Sequence, residues 1–305
     1  MHTTHSIIMV PPNDFAFNEQ TGADNEFQQH SELPLNIIRD DALSEFNEMV
    51  NILRDHHVEV LLLNKQHNTP ELPDAIFPNN WFSTDQQGNI HLYPMKTANR
   101  QAEVRPNELQ QLLERHHYKV GSIEPIATQD TSQALEGTGS IIFDHNNRIA
   151  YAALSERCDQ ELFEQACQFL NYQAISFTTA SSTGSPFYHT NVMMSIGDAF
   201  AVICSESITS NQQQVLDSLS SNHKQLINIS LQQAEQSFCG NILQLHNNRN
   251  EKLIIMSQSA FDGFSKEQKA QLSKHGKLIA CPIPTIESIG GGSARCMMAE
   301  NFLPK

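Results

Sequence analysis

The sequence predicts an α/β fold built from one repeated helix-to-strand unit. Five amphipathic helical stretches are each followed closely by a short apolar strand. The units recur every 50–65 residues or so, at about the period expected of a repeat architecture. No Pro-, Gly- or Ser-rich linker divides the 305 residues, so the pattern argues for one closed domain over 1–305 rather than two unrelated halves.

The first unit places Ala42, Leu43, Phe46, Met49, Val50 and Leu53 at helical spacing over 40–56, with Asp40 or Asp41 as the cap. Residues 58–63 then read as a strand. The same unit recurs as 106–116 followed by 118–120, 158–170 by 174–177, 210–219 by 226–229, and 265–274 by 277–281. Between units, short apolar stretches pair across tight polar turns. These are 140–143 with 149–153, 192–196 with 199–203, and 241–245 with 253–256. His56-His57 and His116-His117 close two of the helices, where imidazole meets the negative end of the helix dipole. Adjacent helical residues point in different directions, so neither pair reads as a metal site.

Charge and composition exclude several functions. Thirty-four acidic residues stand against 19 basic ones, giving a net charge of −15 without clustered Lys and Arg, so nucleic acid is not an expected partner. No apolar run approaches the roughly 18 residues of a membrane span. The N-terminus, Met1 to Val10, lacks the basic stretch and long apolar region of a secretory signal, and a cytoplasmic protein is expected. Thiols there stay reduced. Cys158, Cys167, Cys204, Cys239, Cys281 and Cys296 contain no CxxC spacing, so neither disulfides nor a structural metal is expected. Cys204 and Cys281 lie in apolar runs and read as core. The expected partner is a small molecule, and a homo-oligomer is left open.

The chemistry-bearing residues gather in a few motifs. Gly290-Gly291-Gly292-Ser293-Ala294-Arg295-Cys296 brings a cysteine after a glycine run, which permits close backbone approach to a ligand. The neighbouring Arg295 would favour a thiolate. Alone, Cys296 reads more readily as a small buried hydrophobe than as a nucleophile. Leu135-Glu136-Gly137-Thr138-Gly139 and Tyr188-His189-Thr190-Asn191 add a carboxylate and an imidazole. Each of these, and Asp74 to Phe82, falls just before or at a strand end. Equivalent positions in a ring of repeats converge on its axis.

The order Asp74…Phe77…Asn80, Leu135-Glu136-Gly137, Ser155-Glu156-Arg157, His189-x-Asn191 and Arg295-Cys296 resembles the guanidine-modifying, or pentein, superfamily. The resemblance runs through essentially the whole chain. It is nearest to the branch of citrulline-utilisation hydrolases, which the opening segment from Met9 to Gln28 also resembles. It implies a five-bladed, pseudo-symmetric α/β propeller of ββαβ repeats and covalent catalysis without a cofactor. By the same resemblance Cys296 is the nucleophile, His189 the general acid/base, and Glu136 the carboxylate that orients imidazole and substrate. Arg157 would receive a substrate α-carboxylate, and Asp74 would lie at the edge of the substrate site. Phe77, Asn80, Asn191 and Arg295 complete the expected contacts.

The chain departs from arginine-handling relatives at three positions. Asn80 and Asn191 stand where those relatives grip a guanidinium with carboxylates, and Gly139 stands where an acid is common. A buried guanidinium without counter-ions would lose about 3–5 kcal/mol for an unpaired charge. Asparagine offers both a donor and an acceptor, which matches a neutral ureido group. The expected reaction is therefore hydrolysis of citrulline, or a related ureido compound, to ornithine, ammonia and carbon dioxide. An arginine or modified-arginine amidine hydrolase, or an amidinotransferase, is the alternative. A propeller that only binds an amino acid is a third reading, against which the joint presence of cysteine, histidine and glutamate argues.

Overall fold

The computed structural model describes residues 2–65, 70–127, 133–222 and 224–305. Within them lie five three-stranded sheets. Each joins an antiparallel pair to a third strand that runs parallel to the second, reached through a helix. The successive sheets hold Phe82–Thr84, Asn89–Leu92 and Ser122–Pro125; Ile142–Asp144, Ile149–Ala153 and Gln173–Phe177; Met194–Ile196, Phe200–Ile203 and Gln225–Asn228; and Leu243–His246, Lys252–Ser257 and Lys277–Cys281.

The fifth sheet is assembled from both ends of the chain. Ala299–Glu300 runs antiparallel to Ser6–Met9, and Glu59–Leu62 lies parallel on its other side. The crossover helices are Leu35–Asp55, Pro106–Arg115, Gln160–Leu170, Gln212–Ser221 and Lys266–Leu272. The first four turn an apolar stripe inward, as Leu109, Leu112 and Leu113 do from Pro106–Arg115, whereas Lys266–Leu272 buries Leu272 alone. The strands they cover are largely apolar; all five residues of Ile149–Ala153 are buried.

Several boundaries differ from those expected. The first helix starts at Leu35, behind Pro34, rather than at an Asp40 or Asp41 cap. Leu35 and Ile37 face solvent, so its first turn carries little apolar periodicity, and Leu43 is exposed as well. The strand expected at 118–120 forms at Ser122–Pro125. Residues 118–121 are held elsewhere: the Lys119 N–H donates to Pro304 O and the Gly121 N–H to Gly88 O. His57 and His117 adopt φ of 61° and 66°, the left-handed step by which a chain leaves a helix.

The residues expected to begin strands at 140 and 192 instead form single helical turns. Pro78–Asn80, Gly137–Ser140, Thr190–Met193 and Ala294–Met297 each precede the first strand of a sheet. These turns carry the candidate site. Gly137 is needed in its turn because φ is +43° and a Cβ would stand 2.6 Å from Asn79 O.

Candidate active site

Cys296 sits on the turn Ala294–Met297 with 2% of its surface exposed. Two side-chain amides donate to its Sγ, Asn191 Nδ2 at 3.4 Å and Asn241 Nδ2 at 3.3 Å. Asn241 also donates to Asn191 O, and its Oδ1 accepts the Arg295 N–H at 3.0 Å. One buried amide thus ties the cysteine turn to the histidine turn. Hydrogen bonds of this kind strengthen when the sulfur is ionised.

His189 caps Thr190–Met193, and Glu136 precedes Gly137–Ser140. The imidazole Nε2–H donates to Glu136 Oε2 at 2.8 Å, since a carboxylate can only accept. Glu136 Oε1 accepts the Lys96 N–H at 3.1 Å, and Arg157 and Arg100 approach Oε2 at 3.7 and 4.0 Å. Burial alone would raise the Glu136 pKa, but Arg157, His189 and Arg100 together hold it well below the ordinary carboxylate value. Burial lowers the His189 pKa, and the opposing pull of Glu136 does not restore it. The pair is therefore a carboxylate and a neutral imidazole near pH 7.

Asn80 is oriented by Arg100, whose Nη1 donates to its Oδ1 at 2.8 Å. Arg100 is itself fixed by Glu103 and by Phe77 O. Asn80 Nδ2, Asn191 Oδ1 and Asp74 Oδ1 are buried without a hydrogen-bond partner among the described residues. Asp74 Oδ2 accepts from Asn18 and Thr21. Gly139 faces this group closely: a Cβ there would stand 2.2 Å from Asn80 Nδ2 and 2.8 Å from His189 Nδ1. An acid at 139 could not be accommodated without displacing both.

A family model for N,N-dimethylarginine dimethylhydrolase, described as eukaryotic, matches residues 11–303. The chain belongs to this family. Members of this dimethylarginine dimethylhydrolase family are pentein enzymes, and the protein is a hydrolase acting on C–N bonds. No curated protein sequence matches the chain. Among solved structures, the N-terminal domain of ArgZ, an arginine dihydrolase from the ornithine-ammonia cycle in cyanobacteria, superposes with a TM-score of 0.72 at 18% identity, covering 97% of each chain. AgrE bound to L-arginine gives 0.72 at 17% identity; the match covers 97% of this chain and 40% of that longer one. A dimethylarginine dimethylaminohydrolase held as an adduct with S-methyl-L-thiocitrulline gives 0.66 at 15% identity, covering 98% and 100%. At such identities the likeness is one of fold.

Within this dimethylhydrolase fold, Cys296, Asn191, His189, Glu136 and Asn80 come together as five residues from four turns. Phe77 packs beneath the glycine run: Cβ atoms at Gly290 and Gly292 would each lie 2.9 Å from its ring. The glycines therefore permit close approach to this ring, where the sequence pointed to close approach to a ligand. Arg157 is already engaged by Asp24, through Nε at 3.1 Å and Nη2 at 2.5 Å. Arg295 turns away from the thiol, donating to Met298 O and to Glu300 Oε2 at 3.2 Å. Its charge is taken up by that carboxylate, which corrects the expectation that it supports the thiolate.

Asn241, Arg100 and Asp24 were not anticipated. Asn241 follows Gly240 at the start of its repeat, as the other site residues do in theirs, and that equivalence was the available signal.

Proposed function

We propose that this dimethylhydrolase-family protein hydrolyses the ureido group of citrulline or a close relative, giving ornithine, ammonia and carbon dioxide. The observation that carries the proposal is the complementary pair of unpartnered amide atoms, the donor Asn80 Nδ2 and the acceptor Asn191 Oδ1. A ureido carbonyl can accept from the first while its N–H donates to the second. A guanidinium would leave the Asn80 donor unmatched. The five sheets then serve as blades of one α/β propeller domain, with the short turns meeting at its axis.

Neutral His189 takes the Cys296 proton, and the sulfur attacks the ureido carbon. The imidazolium returns that proton to the departing nitrogen, releasing ammonia and leaving a thiocarbamate on Cys296. Water, deprotonated by His189, attacks the same carbon and the C–S bond breaks. The N-carboxy product loses carbon dioxide to give ornithine. Glu136 steadies the imidazolium in both halves, and Asn191 and Asn241 hold the sulfur. Arg157 receives the α-carboxylate once Asp24 releases it, with Asp74 and Phe77 at the substrate edge. No step calls for a cofactor.

The unpartnered Asp74 Oδ1 favours one rival, in which the substrate carries an amidine or guanidine charge. The test is ornithine and ammonia release by purified protein from citrulline and from arginine separately, with Cys296→Ser alongside. Ornithine from citrulline, lost in the variant, is the expected result. Turnover of arginine alone overturns the ureido assignment and leaves the nucleophile in place.

A further inference from the structure

We propose a second small-molecule site, for an organic cation with a flat or apolar body, at the opposite end of the hairpins from Cys296. A cavity of about 320 Å³ opens there, within the range of sites that enclose small ligands. Its position follows from the strands. Phe82–Thr84 leaves the Asn80 turn and is followed by Asp85, and Ile142–Asp144 leaves the Glu136 turn and is followed by His145. Ala299–Glu300 leaves the cysteine turn and ends beside Phe302. All three far ends line the cavity.

The walls are aromatic, with Phe82, Phe143, Phe169, Tyr172 and Phe302 around the space. Aromatic faces attract cations, and the attraction grows when water is excluded. The charges agree in sign. Asp85, Glu124 and Glu300 line the cavity, with Arg148 as its cationic residue. Arg148 is already committed, donating to Asn171 O and Leu170 O and stacking 4.1 Å from the Tyr172 ring centroid. Glu300 is paired with Arg295. Glu124 keeps Oε2 to meet a ligand, and Asp85, whose oxygens already accept from Gln87, Asn89 and His91, adds negative charge, so an anion would be repelled by both.

His91 supplies an independent pointer. It is 4% exposed, and its Nε2–H donates to Asp85 Oδ2 at 3.1 Å. In the neutral ring that bond leaves Nδ1 as an acceptor. Nδ1 is buried without a hydrogen-bond partner among the described residues, 3.9 Å from Glu124 Oε2. An ammonium or amidinium N–H placed between His91 Nδ1 and Glu124 Oε2 would satisfy it.

Calorimetric titration of the full chain with benzamidine, a flat aromatic cation, tests the site against neutral benzamide and anionic benzoate. One equivalent of benzamidine is expected to bind, at least about tenfold more tightly than either comparison compound. Glu124→Gln, at the half-exposed rim, and Tyr172→Ala should each weaken it severalfold, while His189→Ala should leave it unchanged. Absence of binding, equal binding of benzamide, or loss in His189→Ala with retention in Glu124→Gln overturns the proposal.

Discussion

His189 and Glu136 form a pair in which each residue sets the other's protonation. Burial draws the imidazole below its ordinary value of 6.5, and Glu136 is the first group that opposes this. As pH falls through the lowered pKa the imidazole gains a proton and, in the proposed reaction, can no longer accept one from Cys296. The acid limb of the rate profile should therefore lie below pH 6.5. Glu136→Gln removes the raising influence, so the limb should move to still lower pH while kcat drops by roughly 10²–10⁴-fold, the usual contribution of positioned proton transfer. A pH–rate profile of both proteins checks this, and a limb shifted to higher pH would contradict the pairing. As candidates, Glu136, His189 and Cys296 were legible because carboxylate, imidazole and thiol each stand in a short motif. Asn241 was not, because an isolated asparagine carries no pattern and acquires meaning only from the sulfur 3.3 Å away.

Among the elements, the stretch 11–34 contains neither helix nor strand. It is tied to the candidate site through specific side chains. Asn18 and Thr21 bind Asp74, Asp24 binds Arg157 and Lys96, and Asn25 and Gln28 donate to Gly291 O and Gly290 O. Burial alone would raise the Asp24 pKa, yet Arg157 and Lys96 hold it lowered, so the carboxylate stays charged against them. If Arg157 receives a substrate carboxylate, Asp24 is its internal competitor. Asp24→Asn should then lower KM for citrulline severalfold with little change in kcat. Steady-state kinetics decide the matter, and a raised KM would place Asp24 on the ammonium side of the substrate instead. The sequence showed a family-like opening segment but not this contact, since Asp24 and Arg157 are 133 positions apart.

At the scale of the molecule, the decisive feature is closure of the fifth sheet by the two chain ends. Ile8 is fully buried between Ala299 and Leu61, its register partners on either side. Ile8→Ala should cost about 2–5 kcal/mol by leaving a cavity, a large part of the roughly 5–15 kcal/mol typical of a domain. Ala299 lies three residues beyond Cys296, so loss of activity in urea should track unfolding of the variant. Equilibrium urea melts monitored by fluorescence and by activity test this, and an unchanged midpoint would show that the seam contributes little.

The sequence by itself determined the repeat, the alternation of helix and strand, and the candidate thiol, imidazole and carboxylate. These follow from local periodicity and residue chemistry, which survive in one dimension. Only the tertiary structure decided which amides reach Cys296, that Arg295 serves Glu300, and that Arg157 is already held by Asp24. It also decided how the fifth sheet closes, by joining Ser6–Met9 to Ala299–Glu300. Contacts across hundreds of residues leave no periodic trace; they exist only once packing has brought the turns together.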